Sequence, residues 1–297
     1  MKLKLLSVLV LIGLCAACGN GINPTPRAAN APSKGPAAHV ILIVEENHGY
    51  STVVYQNRMP WLKALGDKYG VATNYYSDEK GSLLDYLWLS SGNNESRFGC
   101  DGNQCSSAIT DGNIFRELNK AGMSWNVYAD ALPKFGFMGM FAGNYAKRHD
   151  PAVWYSDVAQ NPEQQQNVVP FTQFPVDVAA DNLPDYSIII PDLEDDAHNG
   201  TPEAADQWLK TNIGPLLNSQ YFQSGENTVM FITFDNGEND EQGQVFTAVV
   251  GQNVVPGVKV NTPFRHENTL RTIMQLLGLK NYPGASATAA PMNEFFK

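Results

Sequence analysis

The chain has 297 residues, 43% of them hydrophobic, and a formal net charge of −10. This is ample for a buried core, and one large α/β domain accommodates the length. The acidic balance argues against a nonspecific nucleic-acid binder, which needs a basic surface to displace counterions. An anionic substrate then requires a metal or local cationic side chains that reverse the field inside the site.

The first 17 residues have the composition of a signal peptide. Two lysines precede an apolar stretch from Leu5 to Leu14, which is too short to span a bilayer stably. The letters LCAACGN follow, and small residues before a cysteine resemble a bacterial lipoprotein signal in which Cys18 is lipidated. We therefore expect an exported protein that is either anchored in the cell envelope through Cys18 or secreted.

Residues 18–38 are rich in Asn, Pro, Ala and Gly, and this composition is typical of a flexible tether. No internal repeat and no second linker follow, so we assign residues 39–297 to one folded domain.

Strand and helix patterns alternate along that domain. Short apolar runs predict strands at residues 40–44, 124–129, 186–190, 227–234 and 245–250. Helical spacing predicts helices around residues 59–69, 83–89, 114–121, 202–213 and 270–277. The alternation predicts an α/β fold with a mostly parallel central sheet sandwiched by helices. The strands are almost wholly apolar, as burial on both faces requires.

Local signals predict the ends of two helices and a disulfide. Asp111 is the expected cap of the helix at 114–121, and Thr201 caps the helix that begins with Pro202. Cys100 and Cys105 bracket the short loop CDGNQC, and an exported compartment favours a disulfide between them. A zinc site is the weaker alternative, because no second Cys or His pair stands nearby at ligand spacing.

Polar residues follow three of the predicted strands. The three groups are Glu45-Glu46-Asn47-His48, then Asp192, Asp195, Asp196 and His198, and then Asp235, Asn236 and Glu238. Parallel strands bring their carboxyl ends together, which is where α/β sheets bind ligands. Gathered carboxylates repel one another and need a cation or a shared proton. Oxygen ligands with imidazole suit a hard or borderline divalent metal.

Several alternatives stay open at this point. Any single strand end can be a capped turn, and no HExxH or His-x-His pair gives a specific metal signal. Strand alternation puts Glu45 on the side opposite Glu46, so we expect Glu45 to play a supporting role. His48 is undecided, and Glu194–Asp196 can form a solvated loop.

Six segments in order resemble a known family. They are VEENHGY, GSLLDYLWLSSG, YAKRHDP, LPDYSIIIPDLEDDAHNG, VMFITFDNGEND and HENTLRTIMQLLGL. Together they resemble the bacterial phosphoesterase family of acid phosphatases and phosphocholine-type phospholipases C, within the alkaline-phosphatase-like superfamily. The resemblance covers Val40 to Leu279. It implies an alkaline-phosphatase-like fold, with residues 39–297 as the phosphoesterase domain.

The resemblance implies a divalent metal site, whose metal it does not identify. Glu46 and Asn47 match the family's Glu-Asn pair, which ligates the metal and contacts the phosphate. Ser82 matches the nucleophile, which is also a metal ligand. Asp235 and Asn236 stand where an acidic pair completes the metal site.

The resemblance also implies roles for histidines. His149 and His198 match histidines near the transferred phosphoryl group, where an imidazole can supply the proton for the leaving oxygen. His266 matches a histidine that opens the last helix, with an open role. Ser82 precedes a helical run whose N-terminus favours an anion. The simpler alternative for Ser82 is a helix N-cap.

The chain departs from the family at two positions. EKGSLLDY stands where the family has HPSLPNY, so Lys80 replaces a histidine and can face the phosphate as a point charge. Asn236 replaces an acid and removes one negative charge from the metal site, although an amide oxygen can still ligate a hard ion.

The expected function is a metal-dependent phosphoesterase, similar to acid phosphatases, that uses a serine nucleophile. Its substrate is a small phosphate ester or a phospholipid headgroup, its membrane contact is the lipid anchor alone, and no nucleic acid is a partner. One alternative is a catalytically silent envelope lipoprotein that binds an anionic ligand. Another is a phospholipase C or phosphodiesterase of the same superfamily.

Overall fold

A computed structural model describes residues 35–223, 227–237 and 243–297. The expected signal peptide, Cys18, Glu238 and most of the expected tether lie outside the described residues. Residues 35–38 of that tether contact the folded domain. Ala37 is buried and its N–H donates to the carbonyl oxygen of Leu276 at 3.0 Å. Within the described ranges no helix is long and apolar enough to cross a membrane.

The strands form one large sheet and a small hairpin. They are β1 (His39–Glu45), β2 (Gly70–Ala72), β3 (Trp125–Ala129), β4 (Phe141–Ala142), β5 (Tyr145–Ala146), β6 (Val168–Pro170), β7 (Tyr186–Ile190), β8 (Thr228–Phe234), β9 (Thr247–Gly251) and β10 (Val258–Val260). The eight-stranded sheet has the order β10-β2-β9-β8-β1-β7-β3-β6, and β4 pairs with β5.

Most neighbouring strands in the sheet are parallel. β1 pairs in parallel with β7 and β8, β3 with β6 and β7, and β10 with β2. Only β9, among the described strands of this sheet, runs antiparallel to its neighbours β2 and β8. The predicted α/β fold with a mostly parallel central sheet is confirmed.

Helices flank the sheet. They are α1 (Tyr50–Val54), α2 (Pro60–Lys68), α3 (Ser82–Ser91), α4 (Ile114–Ala121), α5 (Ser156–Ala159), α6 (Pro162–Gln165), α7 (Phe174–Ala179), α8 (Pro202–Asn212), α9 (Gln220–Gln223) and α10 (His266–Leu276). Short 3₁₀ turns lie at Ser96–Phe98, Lys147–His149, Ala152–Trp154, Phe171–Gln173, Gly214–Asn218, Gly284–Ala287 and Asn293–Phe295. α3 packs against α10, and α2 packs against α8.

The caps match the sequence prediction at one helix and differ at another. Thr201 caps α8, and its hydroxyl accepts the N–H of Ala204 at 3.2 Å. At α4 the cap is Asn113, whose side chain accepts the N–H of Arg116 at 2.9 Å, so the assignment to Asp111 is wrong. Asp and Asn are both good N-caps, so residue type alone does not distinguish position 111 from position 113. The backbone geometry decides where the helix begins.

The central strands β1, β7 and β8 are buried along their whole length. Because β1 lies between β7 and β8 and all three are parallel, their carboxyl ends share one edge of the sheet. This edge carries the polar residues that follow the three strands.

Candidate active site

Backbone hydrogen bonds join the three strand ends. The N–H of Glu46 donates to the carbonyl oxygen of Asp196 at 2.8 Å, and that of Asp235 donates to the carbonyl oxygen of Glu45 at 2.9 Å. The N–H of Asn47 donates to Asp235 Oδ1 at 2.9 Å. Asn47 has a φ of +58°, a left-handed conformation that asparagine tolerates better than most residues. The sequence groups that follow β1, β7 and β8 therefore form one centre.

Ser82 lies at this centre. It is the first residue of α3, Gly81 is the N-cap, and no side chain caps the helix. The Ser82 hydroxyl instead donates to Glu46 Oε2 at 2.8 Å, so the N-cap alternative is wrong. Ser82 and Glu46 also interact with the carboxyl of Asp235. A hydroxyl that donates into a buried carboxylate group is oriented with its lone pairs free for other partners.

Four carboxyl groups are gathered without solvent. Glu46, Asp85, Asp196 and Asp235 have no exposed surface. Burial, and then the charge of Asp235, raise the pKa of Glu46 well above its usual value. Burial also raises the pKa of Asp196, and it raises the pKa of Asp235 to about 6. Buried carboxylates of one sign are unfavourable unless protons or a cation neutralise them.

His149 lies between two of these acids. Its ring stacks on Tyr86 at a centroid distance of 5.5 Å. Nε2 lies 3.2 Å from Glu46 Oε1, and Nδ1 lies 3.1 Å from Asp196 Oδ2. Burial, then the charges of Arg148 and His198, lower the pKa of His149 well below its usual value. Since the pKa of Glu46 is raised, burial disfavours an ionised His149–Glu46 pair despite the short distance.

The residues fit a cation. Glu46 Oε1, His149 Nε2 and Asp196 Oδ2 are buried and have no hydrogen-bond partner among the described residues. Glu46, His149 and His198 offer ligand atoms that lie within 4.8 Å of one another. Two other groups meet the same distance condition, Asp78-Asp85-His266 and Asp130-Asp192-Asp195. Carboxylate oxygens with neutral imidazole form a donor set that divalent metals accept.

Asn236 is already engaged. Its backbone N–H donates to Asp235 Oδ1 at 2.6 Å, and its side-chain amide nitrogen donates to Asp235 Oδ2 at 2.8 Å. The structure thus brings Asn47, Ser82 and Asn236 into contact with the Asp235 carboxyl, beside Glu46. The amide of Asn236 holds Asp235 in place, a contact that an acid at this position would not make.

His198 has an assignable tautomer. Arg148 Nη2 lies 3.1 Å from His198 Nε2, and Asn199 Oδ1 lies 3.0 Å from His198 Nδ1. Because a guanidinium can only donate, Nε2 accepts and the proton of the ring stays on Nδ1. The backbone N–H of His198 donates to Asp196 Oδ1 at 2.7 Å. Asp196 therefore holds the backbone of His198 through Oδ1, while its Oδ2 faces the ring of His149.

A cleft of about 930 Å³ opens above Ser82. Asn47, His198 and Asn236 line it with Ser82. Three cations, Lys80, Arg148 and Arg265, lie around it together with the acids Asp78 and Glu79. Lys80 is exposed and makes no hydrogen bond or ion pair with any described residue. An anion can thus meet positive side chains here despite the acidic chain.

His266 supports the site from behind. Its Nε2 lies 2.6 Å from the carbonyl oxygen of Asp235, and its Nδ1 lies 3.0 Å from the hydroxyl of Tyr75. Burial lowers the pKa of His266 to about 4, so the ring is neutral, with Nε2 donating and Nδ1 accepting. Both ring nitrogens are satisfied, and the histidine fixes the chain that carries Asp235.

Sequence reasoning missed some residues of this centre. The solvated-loop alternative is wrong for Asp196, which is buried against His149. No sequence pattern marks Arg148, which precedes His149 and contacts His198. None marks Asp85, one turn into α3, which accepts the N–H groups of Asp78 and Glu79 at 3.0 and 2.9 Å. The only sequence signal for Asp196 is that it follows a buried strand two residues before a histidine.

Two further expectations concern residues beside the site. Glu45 is buried, and neither of its carboxyl oxygens has a hydrogen-bond partner in the described ranges. Burial, and then the charges of Asp196, Asp195 and Asp206, raise its pKa well above the usual value. Cys100 and Cys105 form the predicted disulfide, with an S–S distance of 2.05 Å.

The centre lies at the carboxyl edge of a mostly parallel sheet whose fold is alkaline-phosphatase-like. The sequence profile of the Phosphoesterase family matches residues 53–280, and the chain belongs to that family. It is therefore a hydrolase acting on phosphate esters.

Similar proteins agree with this assignment. The chain is 29% identical over 294 residues to the phosphatidylinositol-3-phosphatase of Mycobacterium tuberculosis, across 97% of this chain and 93% of that protein. It is 30% identical to a probable acid phosphatase of Kluyveromyces lactis, across 78% of this chain but only 56% of the yeast protein. A Vibrio parahaemolyticus protein of the alkaline phosphatase superfamily has the same fold, with a TM-score of 0.58, 12% identity and coverage of 89% and 73%.

Proposed function

We propose that this chain is a metal-dependent phosphatase in which Ser82 is the nucleophile. The observation that carries the proposal is the 2.8 Å hydrogen bond from the Ser82 hydroxyl to Glu46 at the floor of the cleft. Few structural roles need a serine at the start of a helix to donate into a group of buried acids. Glu46, Asn47, Ser82, Asp235 and Asn236 would hold the divalent metal, with Asn47 also contacting the phosphate.

Such a metal, when bound, would lower the pKa of the Ser82 hydroxyl and neutralise charge on the phosphoryl group. Glu46 orients the hydroxyl and would take its proton at Oε2, while the Ser82 oxygen attacks phosphorus and the bond to the leaving oxygen breaks. The leaving oxygen needs a proton, and His149 or His198 would move it. Water then hydrolyses the phosphoserine to release phosphate and restore Ser82.

Cations of the cleft would bind the phosphate oxygens. Lys80 stands where the family has a histidine, and its ammonium has no other partner among the described residues. Arg148, which is held by His198, presents a guanidinium to the same cleft. Charge-assisted hydrogen bonds of this kind stabilise the spread negative charge of a phosphoryl group in transfer.

The proposed substrate is a phosphomonoester. The names of the two relatives point to phosphate monoesters, one of them a phosphoinositide headgroup. We further propose export through residues 1–17 and anchoring through Cys18, on the composition of that segment. A phosphodiester substrate remains the alternative within the same superfamily.

The test is an assay of residues 19–297 on p-nitrophenyl phosphate and bis-p-nitrophenyl phosphate, with chelator and then with added divalent metals. We expect metal-dependent release from the monoester, and its loss in Ser82→Ala. Ser96→Ala is the matched control, because Ser96 is exposed and does not line the cleft. Full activity in Ser82→Ala, or in chelated protein, contradicts the proposal.

One observation favours a second candidate, a silent lipoprotein that binds an anion. Residue 236 is an asparagine where the family has an acid, so the proposed metal site carries one negative charge less than the family pattern. The Asn236 amide nitrogen is also occupied by its hydrogen bond to Asp235. Phosphate binding without turnover in metal-loaded protein would support that candidate.

A further inference from the structure

The disulfide loop, residues 100–105, sits against the residue that precedes Ser82. A Cβ atom built on Gly81 would lie 2.8 Å from the Cα of Gly102, and one built on Gly102 would lie 3.2 Å from the Cα of Gly81. The N–H of Leu83 donates to the carbonyl oxygen of Gly102 at 3.3 Å. The two glycines therefore allow a backbone contact between the disulfide loop and the start of α3 that other residues would prevent.

The disulfide loop is also ordered from within. Asp101 Oδ1 accepts the N–H groups of Asn103 and Gln104 at 2.8 and 2.9 Å, and the N–H of Asp101 donates to the carbonyl oxygen of Gln104 at 2.8 Å. The disulfide closes the same segment. A loop held by a cross-link, a side-chain turn and a docked glycine keeps its tip in a defined position.

Asn103 stands at that tip. Gly102 and Asn103 line the cleft together with Ser82. The Asn103 side chain is exposed and makes no hydrogen bond with any described residue. Its neighbour Gln104 carries the same chemical group but does not line the cleft. An uncommitted amide beside the nucleophile can both donate and accept, which matches a hydroxyl group.

We propose that Asn103 determines specificity by binding hydroxyl groups of the alcohol whose phosphate is removed. The substrate class is then the phosphomonoester of a polyhydroxylated alcohol, such as a sugar or a polyol, rather than an aryl or simple alkyl phosphate. The proposal rests on the proposed phosphatase function and adds the leaving group to it. The disulfide loop is the wall that presents Asn103.

The experiment compares glucose 6-phosphate with p-nitrophenyl phosphate in wild type, Asn103→Ala and Gln104→Ala. An exposed hydrogen bond contributes about 1 kcal/mol, so Asn103→Ala should lower kcat/KM for the sugar phosphate about fivefold. The value for p-nitrophenyl phosphate should not change by more than about twofold, within the usual context dependence of such a contact. Gln104→Ala should leave the ratio of the two substrates unchanged. Equal losses on both substrates, or none, overturn the proposal.

A binding measurement separates this proposal from the proposed function. Calorimetry with Ser82→Ala protein measures the affinities for glucose 6-phosphate and for inorganic phosphate. This measurement needs no turnover. We expect the sugar phosphate to bind more tightly, and the added Asn103→Ala change to abolish the difference. Equal affinities in Ser82→Ala protein overturn the role of Asn103 even if wild type is an active phosphatase. Failure of wild type to hydrolyse any ester overturns the proposed function and leaves the calorimetric test decisive for Asn103.

Discussion

In metal-free protein the free energy of unfolding should depend on pH through the buried carboxyls. Burial raises the pKa of Glu46 well above its usual value of about 4.3. Between those two values the folded state holds a proton that the unfolded state releases. Stability is therefore full below the unfolded pKa and falls as pH rises, by about 1.4 kcal/mol per pH unit for each such carboxyl.

The window from pH 6.5 to 8 avoids most of the histidine contribution, and Asp150, whose pKa burial raises to about 7, affects wild type and variant alike. The pKa values of His149 and His266 are lowered, the latter to about 4, so these rings contribute changes below pH 6.5. In this window a carboxyl with a raised pKa makes the free energy of unfolding fall with pH for as long as the folded state holds its proton. Glu46→Gln keeps the shape but cannot ionise, so the free energy of unfolding of the chelated variant should fall less across this window than that of chelated wild type.

Urea denaturation of chelated protein at pH 6.5, 7.2 and 8 measures the slope. Glu203→Gln is the control, since Glu203 is exposed and its pKa is lowered to about 2 by Arg58, outside the window. Saturating metal should flatten the wild-type slope and have less effect on Glu46→Gln. If the free energy of unfolding depends on pH equally in chelated wild type and chelated Glu46→Gln, a raised pKa of Glu46 is refuted.

Three other changes test neighbouring contacts. His266→Phe leaves the Asp235 carbonyl without its partner, while the Tyr75 hydroxyl keeps its bond to Thr269 Oγ1 at 2.7 Å. The change should lower the free energy of unfolding by about 1–3 kcal/mol in urea and also lower kcat. Asn236→Asp adds a charge to the metal site, and calorimetry should show at least about tenfold tighter metal binding, since a unit charge at about 4 Å contributes on the order of 4 kcal/mol. Serine at both positions of the 100–105 disulfide should cost about 2 kcal/mol in urea, from the entropy of a short open loop. A urea midpoint equal to that of wild type in His266→Phe, or in the variant without the disulfide, contradicts the stabilising role of that contact. Unchanged metal affinity in Asn236→Asp contradicts a role of residue 236 in metal binding.

The sequence predicted the part of the site that follows the central strands. Apolar runs at β1, β7 and β8 end in polar residues, and parallel pairing brings such ends together. The run at residues 245–250 looks the same as the others, yet β9 is antiparallel. Direction depends on the connection after β8, and an apolar run carries no information about it.

Contacts across long separations were the part that the sequence did not predict. The buried carboxyl of Asp196 has the ring of His149 as its neighbour, at 3.1 Å, although His149 lies 47 positions earlier in the chain. His266 likewise acts through Asp235, with which it shares no local pattern. Composition identifies residues that can do chemistry, whereas their burial and mutual distances decide which of them meet.

The centre places buried acids beside a cleft meant for an anion, so the acids must be neutralised before phosphate can bind. Glu46 and Asp235 flank Ser82, and in ionised form both repel a phosphoryl group. Protons and a divalent cation are the two ways to remove that charge, and they compete for the same oxygens. As pH falls through the raised pKa values, the proposed metal should bind less tightly, whereas the proposed contacts of phosphate with Lys80 and Arg148 should persist. Protonation at low pH and metal binding thus both neutralise Glu46 and Asp235. Because the pKa values of these carboxyls are raised, protons compete with the metal at a higher pH than they would at exposed acids.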